Sequence, residues 1–367
     1  MDIFANKMIN TLLKGVLFVC LIVIAFFNTS ITTHGEESMF PEAPIFIDGQ
    51  AHNTKYLLKD GNLMVPALFL KHTSAKVDWN EKYNSVVFTL DDDYFAIPIG
   101  TRFADSYFSD TNEWKRDFLS TPTIEVSQEV FVPLIDVVKK LGMKVEYNQT
   151  LNRTFVYTQK ERTSTRIYSG NPSKKLVALT FDDGPEAHYT PQILDILKEK
   201  GVPATFFVMG KQVKKFPDMM RRIVEEGHGL ANHTYTHPSL PTISTSEVIK
   251  EIRTTEQEIE RTVGRRPDLF RPPFGAVTWS DERVIAELGF RTIMWTVDTL
   301  DWTGLPAENI LEIVHRDITP GGIILQHNIE INPELLAGSV EALPMIIDDL
   351  RSKGYTFVTV QTLLDNR

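Results

Sequence analysis

The sequence predicts an α/β chain in which a parallel barrel one unit short of eight follows a small α+β domain. Three observations carry that expectation. The length, 367 residues, is that of two domains and a short extra segment at roughly 150 residues per domain. Residues 42–158 carry an internal repeat. From residue 174 onward, short apolar runs alternate with amphipathic helical patterns, which is the signature of parallel strands joined by helical crossovers. An open doubly wound sheet is the alternative for this second part.

The first element is a targeting pattern. Lys7 and Lys14 precede Gly15–Phe27, thirteen residues with no charge and no side-chain amide or hydroxyl. A positive flank and a short apolar core make a secretory segment, and the run is short for a membrane span. No clear small-x-small cleavage site follows, so residues 1–34 read as a signal peptide or as an anchor held in the membrane through residues 15–27. The expected location is outside the cell, extracellular or wall-associated, or at the membrane surface. Composition narrows the chemistry. With 48 acidic against 38 basic residues and a net charge of −10, a nucleic acid is not the expected partner, since phosphate binding draws on clustered Lys and Arg. The single cysteine, Cys20, lies in the apolar run. A disulfide framework, a Cys-ligated zinc and a thiol nucleophile are thereby excluded.

The repeat comes next. Met64-Val-Pro-Ala-Leu-Phe-Leu70, Lys76-Val-Asp-Trp-Asn80 and Ser85-Val-Val-Phe88 are echoed by Phe131-Val-Pro-Leu-Ile-Asp-Val-Val138, Lys144-Val-Glu-Tyr-Asn148 and Arg153-Thr-Phe-Val156. Each unit predicts a short helix after Val-Pro and then a hairpin turning at Asn-rich positions. The pattern over residues 42–158 resembles the N-terminal domain of copper amine oxidases. No Cys and no His-x-His occurs there, so no copper is expected, and the domain reads as a scaffold or wall-binding module. His52 and His72 read as surface residues, and Asp91-Asp92-Asp93 as a solvated turn. Residues 159–173 are polar without periodicity and read as a linker.

In residues 174–367 the apolar runs are Leu176–Phe181, Thr205–Met209, Gly229–Asn232, Leu269–Phe270, Thr292–Val297, Gly322–Leu325 and Thr356–Val360. The helical patterns between them include Pro191–Lys200, Gln212–Glu226, Ser246–Val263 and Glu334–Ser352. Polar residues fall just past the C-terminal ends of the runs: Asp182 and Asp183, His233 and His237, Arg271, Asp298 and Asp301, and His327. In parallel α/β folds that edge is where sites are built, so these residues are expected to converge.

His233 and His237 are four apart, one helical turn, and can face one ion. A carboxylate from Thr180-Phe-Asp-Asp-Gly-Pro185 would complete a set of three protein ligands with an open position, the arrangement of catalytic rather than structural zinc. Gly184 and Pro185 end the strand at once, which lets the two Asp side chains part at the rim: one ligates, the other stands beside the bound water to accept its proton.

The ordered motifs Thr180-Phe-Asp-Asp-Gly-Pro185, His233-Thr-Tyr-Thr-His237, Arg271-Pro-Pro-Phe-Gly275, Asp298-Thr-Leu-Asp-Trp302 and Leu325-Gln-His327 resemble the polysaccharide deacetylases of carbohydrate esterase family 4, over residues 174 to about 360. The resemblance implies a distorted (β/α)7 barrel that holds Zn2+, or Co2+ or another divalent ion, and removes N-acetyl groups from a GlcNAc-type polysaccharide such as peptidoglycan; a monomer is expected. It implies Asp183, His233 and His237 as metal ligands and Asp182 as general base, held by Arg271. It further implies the Phe274 N–H as oxyanion donor, Leu325 in the acetyl pocket, His327 as general acid and Asp301, beside Trp302, as the residue that orients it. Trp302 is also suited to stacking on a sugar, as is Trp279 unless it belongs to the core. Gln326 and Asn328 depart from the family, which more often has an apolar residue and an Asp around His327. Asp298 reads as support for its motif, His188 as a loop residue near substrate, and His228 and His315 as packing or surface residues.

Overall fold

The computed structural model describes residues 40–158, 164–329 and 335–367. The targeting pattern at residues 15–27 lies outside them. Residues 42–367 form one compact unit; among the described residues no helix is long and apolar enough to cross a membrane.

The N-terminal part is mostly β. The two Val-Pro strands, Asn62–Pro66 and Glu129–Pro133, pair antiparallel with Val65 opposite Val132, so the repeats meet about a local two-fold axis. The hairpin of the first repeat, Lys76–Asn80 with Ser85–Leu90, belongs to a five-stranded antiparallel sheet. That of the second, Lys144–Asn148 with Arg153–Tyr157, belongs to a four-stranded one, in which Glu42–Ile47 runs parallel to Arg153–Tyr157 and antiparallel to the edge strand Gln50–Lys55. The expected helices follow both Val-Pro pairs: a 3-10 helix Ala67–Thr73 and an α-helix Leu134–Lys140. Leu70, Val77, Phe88, Val132, Val137 and Val156 form the shared core.

The C-terminal part is a parallel barrel with two distortions. The path of strands is Arg291–Thr292, Leu269–Phe270, Gly229–Asn232, Thr205–Val208, Leu176–Asp182, Gly322–His327, Val297–Asp298. The expected fifth run, Thr292–Val297, is thus two short strands at opposite ends of the path, and the stretch between them spans the gap. The carbonyls of Ile293 and Met294 in that stretch accept from the Arg271 guanidinium instead of a neighbouring strand. The last strand, Thr356–Phe357, pairs only with Leu176 and Val177 at the foot of the first. Ala178, Phe207, Ala231, Leu269, Ile293 and Ile323 fill the barrel interior, while Leu179, Phe181, Phe206 and Ile324 face the helices, the alternation that a strand imposes.

The expected helix Gln212–Glu226 is two helices, Gly210–Lys215 and Pro217–Glu225, because Pro217 cannot donate within a continuous helix and starts the second instead. The expected linker is tied to the barrel from residue 164: Ile167 bridges to Ile293, and Arg166 pairs with Glu282 at 2.5 Å. His52 and His72 are half-buried rather than on the open surface, their rings 4.3 Å apart. Burial, then the neighbouring His52 and Lys71, pushes the His72 pKa down to about 3. The acidic turn is not simply solvated either: Asp91 pairs with Arg283 of the barrel at 3.0 Å, and Asp93 accepts from Ser109.

Candidate metal and catalytic site

Strand register brings the scattered polar residues together. Asp182 lies opposite His327 on adjacent parallel strands. Asn232 lies opposite Phe270, so the residues that follow them, His233 and Arg271, are also neighbours. Asp182, Asp183, His233, His237, Phe274, Asp298, Trp302, Leu325 and His327 line one cavity of about 610 Å³, with Met209, Trp295 and Ile329.

Arg271 lies beneath it, fully buried. Its Nη1 donates to Asp182 Oδ1 at 2.7 Å and to Thr180 Oγ1 at 2.9 Å, Nη2 to the Met294 carbonyl at 3.1 Å and Nε to the Ile293 carbonyl at 3.3 Å. Its guanidinium carbon sits 3.9 Å from the Phe207 ring centroid, a stacking that suits a planar, weakly hydrated cation. A buried charge with all three nitrogens engaged is stabilised, and it fixes one oxygen of Asp182 in place.

The two histidines converge through a tight loop, not the helical turn their spacing suggested. Residues 233–238 have no regular structure, and Thr234 and His237 both have φ of 66°. Asn232 Oδ1 accepts from Thr234 N, Thr234 Oγ1 accepts from His237 N, and the Glu251 carboxylate accepts from Tyr235 N and Thr236 N. Asp183 is likewise left-handed, with φ of 77°, and Phe274, whose ring packs edge-on to His237 at 4.6 Å, has φ of 59°. Such backbone strain in non-glycine residues gathers at functional sites.

His327 is anchored differently. Its Nδ1 donates to Asp301 Oδ1 at 2.7 Å, and its backbone N–H to Asp301 Oδ2 at 2.9 Å. Asp301 is fully buried and also accepts from Ser339 Oγ at 2.9 Å. Burial disfavours a charged ring, but Asp301, and after it Asp183 and Asp182, raise the His327 pKa to about 9.

The family models that match are polysaccharide deacetylase over residues 169–293 and copper amine oxidase N-terminal domain over residues 46–156. A peptidoglycan-N-acetylglucosamine deacetylase of Bacillus cereus is 42% identical over 196 residues, 53% of this chain and 70% of that protein. The chain belongs to the polysaccharide deacetylases. Within this family it also resembles the peptidoglycan-N-acetylmuramic acid deacetylase PdaC of Bacillus subtilis, 31% identical over 311 residues, which are 84% of this chain and 60% of that protein. Among solved structures, the Bc1960 peptidoglycan N-acetylglucosamine deacetylase superposes with a TM-score of 0.53 at 40% identity, over 56% of this chain and 94% of that one.

Polysaccharide deacetylases of this family depend on a metal ion, and the donor set fits one. Ligand atoms of Asp183, His233 and His237 lie within 4.8 Å of one another. Both Nε2 atoms are 3.3 Å from Asp183 Oδ1, close to the roughly 3.3–3.4 Å between ligands of a tetrahedral ion bound at about 2.0–2.1 Å. His233 Nδ1 donates to the Arg271 carbonyl at 2.7 Å, which leaves Nε2 with its lone pair facing the other ligands. Asp183 Oδ1 is buried with no hydrogen-bond donor aimed at it. The electrostatics agree: burial works against a charged His233, yet Asp182 and Asp183 raise its pKa. Burial also opposes the Asp183 carboxylate, yet His233, with His327 and His237, brings its pKa down to about 2. The two carboxylates favour positive charge beside them, while burial and the neighbouring His233 lower the His237 pKa and favour the neutral ring that a ligand needs.

Several supporting residues carried no signal in the sequence. Ser339 is a single hydroxyl in an apolar context, and Glu251 is one acid on a helix full of them. Asn328, noted only as a departure, is fully buried and spans the first motif: its N–H donates to the Asp182 carbonyl, its Oδ1 accepts from Gly184 N and its Nδ2 donates to Thr190 Oγ1. A side chain on Gly184 would collide with that amide at 2.3 Å, so residues 184 and 328 are matched. Gln326 is buried with neither amide atom hydrogen-bonded, outside the cavity lining. His228 is a packing residue that accepts from Ala204 N, His315 is exposed beside Lys353, and Trp279 does not line the cavity.

Proposed function

We propose that the chain hydrolyses the N-acetyl group of GlcNAc-type residues in cell-wall peptidoglycan. The observation that carries this reading is one cavity holding two separately anchored proton-handling groups beside a three-ligand donor set: Asp182 on Arg271, and His327 on Asp301. Asp183, His233 and His237 are the proposed ligands, and zinc the proposed ion, with cobalt or another divalent ion as substitute. A divalent ion held there would polarise the acetamide carbonyl and acidify water near neutral pH.

In this reading Asp182 takes a proton from the attacking water as the new bond forms between its oxygen and the acetyl carbon. The developing oxyanion faces the backbone N–H of Phe274, and such charge stabilisation is commonly the largest catalytic contribution. Protonated His327 gives its proton to the amide nitrogen as the C–N bond breaks, which yields acetate and a free amino sugar. Arg271 holds Asp182 and Asp301 holds the imidazole, so neither group searches for its orientation during turnover. Leu325 is suited to contact the acetyl methyl group, and Trp302, half exposed at the cavity rim, to stack on a sugar ring.

The relative aligned along most of this chain is named for N-acetylmuramic acid, which supports muramic acid as the second candidate sugar. A wall substrate together with the targeting pattern of residues 15–27 supports export, with the protein extracellular or wall-associated. The test is acetate release by the zinc-loaded protein from peptidoglycan and from chitin oligomers in parallel, with the deacetylated sugar identified. Release from peptidoglycan as glucosamine is expected. Muramic acid as the product would select the second sugar, and release from chitin oligomers alone would overturn the wall assignment.

A further inference from the structure

The two repeats of the N-terminal domain differ at one buried position. Five residues after the shared proline, the second repeat has Val138, fully buried in the domain core; the first has Lys71, also fully buried. The pattern calls for an apolar residue at Lys71, and an uncompensated ammonium there would be strongly destabilising. It is compensated entirely from the other domain. Lys71 Nζ donates to the Leu240 carbonyl at 2.6 Å and the Ile243 carbonyl at 2.8 Å, and pairs with Asp281 Oδ1 at 2.7 Å. Three donors meet three acceptors.

Those acceptors belong to two segments next to the site. Leu240 and Ile243 lie in the stretch that leaves metal-ligand candidate His237 and enters the helix Thr245–Val263. Asp281 caps the helix Trp279–Glu287, which leaves the Arg271–Gly275 motif; its other oxygen accepts from Thr278 N and Oγ1 at 2.9 and 2.7 Å. Around Lys71 the contact continues: Asp78 Oδ1 accepts from Ser246 N at 2.7 Å, and Val77 N donates to Thr245 Oγ1 at 3.0 Å. The ion pairs Lys76–Glu287 and Arg283–Asp91 lie at the exposed margin.

We infer that the N-terminal domain is a buttress of the catalytic rim, and that Lys71 is a positioning residue which clamps the loop after His237 to the helix after Phe274. The left-handed loop that presents His237 has its start held by Asn232 and its middle by Glu251; Lys71 holds its exit. A metal site is as tight as the groups that fix its ligands, and loss of an outer support costs about 10–100-fold in affinity. This inference rests on the reading of Asp183, His233 and His237 as the metal site.

The test is zinc affinity of the full chain, stripped of metal and titrated with zinc alone. Lys71→Met strands the Asp281 carboxylate, so it is paired with the double variant Lys71→Met/Asp281→Asn, which removes both charges and keeps an acceptor for the Thr278 cap. The double variant is expected to bind zinc about 10-fold more weakly, with kcat lowered and KM nearly unchanged. Arg283→Ala, which breaks two exposed ion pairs, to Asp91 and to Glu287, and leaves the Lys71 contacts in place, is expected to match the wild type. A folded double variant with wild-type zinc affinity overturns the inference. A second measurement needs no variant. By the reciprocity of linked equilibria, zinc should slow amide exchange across residues 67–78 as well as 233–244, and protection confined to the barrel overturns the clamp. The His237→Ala protein separates the two readings, because unchanged zinc affinity there would overturn the metal site itself.

Discussion

The two groups proposed to handle protons, Asp182 and His327, are each tied to a buried, oppositely charged partner, but the ties are built in reverse. Asp182 is the mobile-proton group on a permanent cation; Arg271 does not deprotonate in the working range, so the tie holds at any pH where Asp182 is charged. His327 is the mobile-proton group on a buried anion, and its tie is at full strength only while the ring is protonated. In the proposed mechanism the base side is therefore held by a partner of fixed charge and the acid side by a charge that its own proton supplies, so the acid side sets the upper pH limit. The same raised pKa has a stability consequence. A histidine whose folded pKa rises from 6.5 to about 9 contributes stability that is complete below about 6.5 and lost as pH climbs through about 9.

Breaking the base side should have the largest effect. Arg271→Met leaves Asp182 buried beside no cation and frees the Ile293 and Met294 carbonyls, so a destabilisation of about 3–5 kcal/mol is expected, read by chemical unfolding. Breaking the acid side should spare the fold. His327→Ala is expected to lower kcat by roughly 10²–10⁴-fold while bound zinc, measured by metal analysis, stays at the wild-type level. Asp301→Asn sharpens the contrast, because it removes the largest influence that raises the His327 pKa. In the proposed mechanism the protonated ring is the active form, so activity should fall as pH rises through that pKa, and the alkaline limb of the kcat profile should move to lower pH in this variant. Ser339→Ala is the mildest probe. Asp301 keeps both bonds to His327, and a loss of about 1 kcal/mol in stability is expected, with the alkaline limb nearly unmoved.

Much of the barrel is legible because the longer apolar runs are buried on both faces and five of the seven runs are followed by an Asp, His or Arg of the site. The runs Gly229–Asn232 and Leu269–Phe270 coincide with the strands; past their ends His233 and His237 line the cavity and Arg271 lies beneath it. The fifth run has the pattern of one strand but is interrupted because its backbone serves a side chain: Arg271 takes the carbonyls that a ladder would use. The His233-Thr-Tyr-Thr-His237 spacing pointed to two converging rings but not to how they converge, since the hydrogen bonds that bend the loop come from Asn232 and from Glu251 on a later helix. In the N-terminal part, the repeat was visible as a pattern, whereas Lys71 was not, because one lysine among surface lysines acquires meaning only when its burial is known.

The central claim is that metal binding and proton abstraction belong to adjacent carboxylates with separate tasks, Asp183 for the ion and Asp182 for the proton. The most direct measurement is zinc content and acetate release from peptidoglycan, taken together on Asp182→Asn, a change of charge with almost no change of shape. The account predicts wild-type zinc content with acetate release reduced by roughly 10²-fold or more. Acetate release near the wild-type rate, or loss of the zinc, would contradict it.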